Sequence, residues 1–401
     1  MKYDIIIAGG GMVGSSLALA LAPLSLRVAI VEPVARTAEA QPSFDDRSTA
    51  LSRSTQRMYE AMGLWDDILA AATPVTRIHV SDQGRFGFSH IDAAEQQVEA
   101  LGYVVINRVL GSVLQSALTA VPKLDVICPA EITAAQVAPE GATVTVQHAD
   151  GNSEQLSCRL LVAADGARSS VRDMLGITAK HIAYAQRAIV GNLLSEKSLQ
   201  NCAYERFTKN GPLAMLPIAD GRAGFVWTVA DRDAERALAL DDDAFLAELQ
   251  DAFGYRLGAL SRVGTRASYP LHLSKAMRLT ATRAVLIGNA AHGLHPVAAQ
   301  GFNLGLRDVA ALCDCIADSD LDDPQLLQRY AAWRKDDQSK LVGFTDGVVR
   351  LFSSENRPTQ ALRDIGMLAF DMVPGVRSLF AKHTMGLAGR LPRLSRGVPL
   401  Q

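Results

Sequence analysis

The first 32 residues limit the possible folds more than any other part of the chain. An apolar run, Tyr3-Asp4-Ile5-Ile6-Ile7-Ala8, leads into Gly9-Gly10-Gly11-Met12-Val13-Gly14, which has the form GxGxxG. A small-residue stretch from Ser15 to Ala22 stops at Pro23, and a second apolar run, Val28-Ala29-Ile30-Val31, ends in Glu32. Strand, glycine turn, helix, strand and acid in this order make one βαβ unit of the dinucleotide-binding type. Gly9 permits the tight turn, Gly11 lets the main chain approach a pyrophosphate, and Gly14 allows the helix to pack closely on the strand. The helix opens at Met12 and Val13, where free amides and the positive end of the dipole favour phosphate. Glu32, 18 residues past Gly14, is placed to accept hydrogen bonds from ribose hydroxyls. The unit by itself suits FAD or NAD equally.

Two later segments repeat the pattern of a buried strand feeding a turn. Arg159-Leu160-Leu161-Val162-Ala163-Ala164 runs into Asp165-Gly166, and Ser169 or Ser170 is placed to cap the helix that follows. Ala284-Val285-Leu286-Ile287 then delivers Gly288-Asn289. After it come His292, His295, Pro296 and Gln300-Gly301-Phe302-Asn303-Leu304-Gly305-Leu306-Arg307-Asp308, with a helix expected from near Asn303 to about Ile316.

With these three motifs in this order, roughly residues 3 to 345 resemble the FAD-dependent aromatic hydroxylases, the group that includes para-hydroxybenzoate hydroxylase. The resemblance implies FAD as the bound cofactor. Gly9, Gly11, Gly14 and Glu32 would hold its ADP half, with the amides of Met12 and Val13 at the phosphates. It also implies Asp165 near both FAD and an incoming nicotinamide, and Gly288, Asn289, Pro296, Gly301 and Asn303 around the flavin. Arg47, in Phe44-Asp45-Asp46-Arg47-Ser48, and Arg108, after Tyr103-Val104-Val105-Ile106-Asn107, match arginine positions that touch FAD in similar enzymes. The third motif departs from the usual Gly-Asp. Asn289 keeps an acceptor oxygen for a ribityl hydroxyl and loses the charge. That departure, with the Gly301-to-Gly305 helix start, is most similar to the ubiquinone-biosynthesis branch, in particular to its members that act on 2-polyprenyl-6-methoxyphenol.

The implied fold is α/β. A Rossmann-type FAD-binding domain (1–75, 106–181 and 271–345) is interleaved with a β-sheet-containing substrate domain (76–105 and 182–270), and 346–401 form a helical tail. Within the second domain, Leu213–Ile218 and Phe225–Val229 flank a Gly-containing turn, a strand–turn–strand pattern. Asp241-Asp242-Asp243 reads as a solvated helix N-terminus rather than a metal cluster. No metal site is expected: His292 and His295 lie in the third motif's loop, and the five cysteines never fall as CxxC.

No second GxGxxG occurs, so NAD(P)H would bind transiently as electron donor. The resemblance implies that reduced FAD and O2 form a C4a-hydroperoxide, whose terminal oxygen attacks the ring of a hydrophobic phenolic substrate, here a polyprenylated methoxyphenol. Hydroxylation at another ring position or of a soluble phenol, and a flavin-binding subunit without activity in a biosynthetic complex, are the alternatives. The phenol-activating base has no sequence signature.

The net charge of −2 provides no field for nucleic acid. The chain opens directly on a strand, and its most apolar stretch, Ile5 to Val31, is interrupted by glycines, Pro23 and Arg27. A cytoplasmic protein is therefore expected, with no spanning helix. After Asp371 no acid occurs, while Arg377, Lys382, Arg390, Arg393 and Arg396 alternate with apolar residues. Such a tail suits peripheral contact with an anionic inner membrane, or a helix docked on the FAD domain with its basic face in water.

Overall fold

The structure is a computed structural model that describes residues 2–35, 47–84, 88–293, 300–338 and 374–401. The continuous apolar runs become parallel strands buried on both faces. Strand Ala284–Leu286 pairs with Ser153–Ala163, which pairs with Tyr3–Ala8, then Val28–Val31, then Leu124–Ile127, all in parallel. Ile5, Ile6, Ile7, Leu161, Val162 and Val285 are fully buried there. Each such side chain contributes about 1.5–3 kcal/mol relative to exposure. Helix Met12–Leu21 is buried along most of its length because its small residues allow it to lie between this sheet and the long helix Gln300–Ala317.

A second, nine-stranded sheet runs from His292–Gly293 through Ala267–Ala276, Ala179–Ser195, Ala223–Ala230, Gly211–Pro217 and Cys202–Thr208 to Arg77–Asp82 and Phe88–Asp92, with Leu260–Ser261 paired beside the end of Ala179–Ser195. Its residues alternate between two faces, as half-buried strands do. One face carries Ile189, Leu213, Met215, Phe225 and Trp227 and is covered by Phe245, Leu249 and Phe253 of helix Asp242–Phe253. The other presents Ala203 and Leu216 to Val75 and Val104. Those two valines belong to a three-stranded sheet, Ser48–Ser52, Gly102–Ile106 and Thr73–Val75.

The expected strand–turn–strand is present, closed by Asp220 at φ 62°. Asp241 caps helix Asp242–Phe253 by accepting from the Ala244 N–H at 2.8 Å. Strand Ala267–Ala276 carries the second sheet past the expected boundary at 270, because its pairing with Ala179–Ser195 continues, through a bulge between Ala183 and Gln186, to Ala276. The helix of the third motif begins at Gln300, three residues before the expected start, so Asn303 lies inside its first turn.

Residues 346–373 of the expected tail lie outside the described residues. Of the rest, helix Pro374–Thr384 and the 3₁₀ turn Leu394–Arg396 are docked, with Ala381, Met385, Leu394 and Leu400 buried. Arg390 lies 3.9 Å above the Trp333 ring, and Arg393 pairs with Asp318. No helix among the described residues is long and apolar enough to cross a membrane.

Candidate cofactor site

Parallel pairing places the carboxyl ends of four strands side by side: Ala8 lies beside Val31 and Ala163, and Ala163 beside Leu286. The residues that follow these ends are Gly9, Glu32, Asp165 and Gly288. The register of one sheet therefore brings the three motifs to one edge, where ligands of open α/β sheets bind.

Gly9 has φ +98°, and a β-carbon there would lie 2.6 Å from the Ala164 carbonyl oxygen. Gly11 is the N-cap of helix Met12–Leu21 with no side-chain cap and no acid in the first turn, so the first amides are left to an anion. A β-carbon on Gly14 would overlap the Gly9 carbonyl oxygen. Val13 packs toward both Gly288 and Gly305, joining the first motif to the third. Glu32 is half-buried and held in place: its Oε2 accepts from the Gly10 N–H at 2.6 Å and its Oε1 from the Val34 N–H at 2.9 Å. Each oxygen keeps a lone pair for a ribose hydroxyl.

In the second motif, Gly166 takes φ +87° and Ser169 caps helix Ser170–Met174 through the Arg172 N–H at 2.9 Å. Asp165 Oδ2 accepts from the Val171 N–H at 3.1 Å, while its Oδ1 is buried without a protein partner. A buried acceptor is rarely left unpaired, and this one lies on the edge where a cofactor hydroxyl would satisfy it. Arg172, buried, donates to the carbonyls of Ala167 at 3.2 Å and Ala290 at 3.3 Å, tying the second motif to the third.

The third motif is held by a network the sequence did not reveal. Gly288 has φ +57°, and its N–H donates to Asp308 Oδ2 at 2.9 Å. Asp308 is fully buried and is also met by His292 Nε2 at 2.6 Å and Arg334 Nε at 2.7 Å. Burial pushes its carboxyl upward, but His292 and Arg334 outweigh this and hold it down to about 2. Burial opposes the charge on Arg334, in the helical stretch 326–338, but Asp308 and Asp337 outweigh it and hold the guanidinium charged.

Asn289 is exposed at this edge, with its side chain available to a ligand, and Gly301 has open space where a β-carbon would stand. Asn303 is different. Its Oδ1 accepts from the Ser52 N–H and the Thr55 hydroxyl, both at 2.8 Å, and its Nδ2 donates to the Ala50 carbonyl at 2.9 Å. Its side chain therefore joins the long helix to the three-stranded sheet. Pro296 and His295 lie outside the described residues.

Arg47 stacks at 4.4 Å on the ring of Tyr269, from the second sheet, and its carbonyl accepts from the Asn107 N–H at 2.8 Å. Arg108 is the next residue, exposed in the first turn of helix Asn107–Leu118. Both arginines thus stand at the same end of the three-stranded sheet. The residues that sequence reasoning missed are Asp308, Arg334, Arg172 and Tyr269. Asp308 stands 20 residues after Gly288, but neither its partners nor Arg334 carry a local signal.

The residues present fit FAD: a glycine cradle at a helix N-terminus, a ribose-facing carboxylate, a buried unpaired acceptor and an open third loop. Comparison with known proteins agrees. Residues 2–345 match the FAD binding domain family. The chain is 38% identical to ubiquinone hydroxylase UbiL of Rhodospirillum rubrum, over 99% of this chain and 93% of that protein. It is 30% identical to the 3-demethoxyubiquinol 3-hydroxylase of Escherichia coli, over 96% and 98%. Among solved structures it shares its fold with p-nitrophenol 4-monooxygenase of Pseudomonas putida, with a TM-score of 0.81, 19% identity and coverage of 97% and 98%. The chain belongs to the FAD-dependent aromatic hydroxylases, on the branch of the ubiquinone hydroxylases, and is a flavin monooxygenase.

Proposed function

We propose that this enzyme hydroxylates the ring of a polyprenylated methoxyphenol in ubiquinone biosynthesis, using O2 and NAD(P)H. The observation that supports this best is the convergence of the three motifs beneath the second sheet. Strand His292–Gly293 of the third motif is itself part of that sheet, and Gly224 of the sheet lies against Ser48, beside Arg47. A ring bound between the two would be screened from water on both sides. FAD, when bound, supplies the activation of O2 for oxygen transfer. The protein's part is to hold and orient. Gly9, Gly11 and Gly14 with the amides of Met12 and Val13 take the pyrophosphate, and Glu32 and Asp165 take hydroxyls. Gly288, Asn289, Pro296, Gly301 and the helix carrying Asn303 hold the flavin side, and Arg47 and Arg108 add positive charge.

A second reading differs in ring position. The Escherichia coli relative is named for the 3-hydroxylation of 3-demethoxyubiquinol, and 30% identity over almost the whole of both chains favours that step as the alternative. Profiling of quinone intermediates in a deletion strain separates the two, since the intermediate that accumulates is the substrate. With the purified enzyme, a short-chain phenol of the right type should consume NAD(P)H and O2 in equal amounts and gain one oxygen. Oxidation of NAD(P)H that no phenol stimulates would sink the proposal and favour a flavin-binding subunit.

The substrate partitions into lipid, so the enzyme either visits the membrane or receives substrate within a complex. Lys382, Arg390 and Arg396 are exposed on the docked tail and supply the basic face for a reversible contact with anionic lipid. Because Arg307 donates to the Gly386 carbonyl at 2.6 Å, deleting the tail would disturb the cofactor helix as well. Charge-reversing Lys382 and Arg396 is the cleaner test: vesicle binding should weaken while FAD content stays unchanged.

A further inference from the structure

Glu205 sits in the middle of strand Cys202–Thr208 and pairs in register with Val80 on one side and Ala214 on the other. The rung continues through Val226 to Val190. Its neighbours in sequence, Tyr204 and Arg206, belong to the opposite face: Tyr204 packs against Phe253, and the Arg206 guanidinium reaches Gly254. Ala203, which shares the face of Glu205, packs on Val75 and Val104 of the three-stranded sheet. Alternation therefore sets Glu205 on the cofactor-facing side of the second sheet, the side on which Gly224 meets Ser48 and Tyr269 meets Arg47.

A carboxylate in an apolar rung is costly unless it is paired or has a use. Glu205 is met there by valine and alanine. The other acid that alternation puts on this side of the neighbouring strand is Asp82, and no basic side chain occupies the rung. Among the described residues, burial alone acts on its carboxyl and raises it to about 7. The residue nevertheless keeps partial solvent access.

Resting on the proposal that the substrate is a phenol bound beneath this sheet, we propose that Glu205 is the catalytic base that takes the phenolic proton. The O–H bond breaks, the proton passes to a Glu205 carboxylate oxygen, and the electron pair stays on the ring oxygen. That raises the nucleophilicity of the ring carbon that acquires oxygen. The new carbon–oxygen bond forms as the O–O bond of the activated O2 breaks; that carbon then loses its own proton, which goes to the remaining oxygen on its way to water, and Glu205 returns its proton to the ring oxygen. A carboxylate half-ionised near neutral pH is matched to this exchange.

The test compares the FAD-loaded enzyme with Glu205→Gln, using whichever phenol the parent hydroxylates. The variant should keep its FAD and its reduction by NAD(P)H, while kcat for hydroxylation falls about a hundred-fold or more and KM changes little. The parent's rise in kcat/KM through about pH 7 should vanish. Phenols acidic enough to be ionised already should recover most of the loss, which a merely structural defect would not allow. An infrared carboxyl band that titrates near pH 7 without substrate should be present in the parent and absent from the variant. Unchanged kcat with the pH limb intact, or a titrating band that survives in the variant, would overturn the assignment. Failure of the polyprenyl phenol alone as substrate overturns the pathway reading and leaves the infrared result standing.

Discussion

The first and third motifs sit on the same edge of one sheet yet are held in different ways. The first is held by main-chain shape and close neighbours: Gly14 meets the Gly9 carbonyl and Glu32 is held by the Gly10 and Val34 N–H groups, with only the Gly9 turn meeting a distant segment, the Ala164 backbone. The third hangs on partners far along the chain. Gly288 depends on Asp308, Asp308 on Arg334, and Asn303 on Ser52 and Thr55 some 250 residues earlier. Backbone shape holds one half of the cofactor site, and a buried polar network holds the other. A substitution should therefore act locally in the first and spread in the third.

The strongest test of that difference is Asp308→Ala. It removes one of the two carboxylates that meet buried Arg334, leaving Asp337, and should cost up to about 3–5 kcal/mol in thermal or denaturant unfolding. The pH dependence has a definite sign. The folded-state pKa is depressed from 3.8 to about 2, so the contribution of Asp308 is present above the unfolded value and lost as pH falls toward 2. The shift corresponds to about 2 kcal/mol. The gap between the acid unfolding curves of parent and variant should therefore narrow by about 2 kcal/mol at low pH. Parallel curves would show that the network does not hold the third motif.

Asn303→Ala comes next. It leaves the Ser52 N–H and the Ala50 carbonyl without their partner, so stability should drop by about 1–3 kcal/mol, with weaker FAD retention because the long helix loosens. Full stability with lost FAD would instead make Asn303 a direct ligand of the flavin. Asn289 should behave in the opposite way, since its side chain is exposed and supports nothing. Asn289→Leu is expected to leave unfolding unchanged and to weaken FAD about 2–13-fold, one hydrogen bond's worth, whereas Asn289→Asp should retain it. Titration of the apoprotein with FAD measures both.

What the sequence disclosed follows the same division. The βαβ opening, the Asp165-Gly166 turn and the Gly288 strand end were legible because each is written in consecutive residues whose period and glycines dictate a local shape. The second sheet's strand–turn–strand and the Asp241 cap were legible for the same reason. Asp308, Arg334 and the bridge from Asn303 to Ser52 were not, since nothing local marks which buried polar groups will meet. Asn303 was expected at the flavin, and no local signal announced that its side-chain amide would bond Ser52, Thr55 and Ala50. Glu205 lay unnoticed in an ordinary strand. The cofactor-facing side of its strand emerges only when Tyr204 and Arg206 are seen under the opposite layer.

The central claim is that the glycine cradle of the first motif receives the cofactor's pyrophosphate against bare helix amides. Gly11→Val tests it most directly, since Gly11 caps that helix without a side chain. The variant should fold, with far-ultraviolet dichroism and unfolding midpoint close to the parent's, and purify without the visible absorbance of bound flavin. A folded Gly11→Val protein that carries FAD at the parent's stoichiometry would contradict the account.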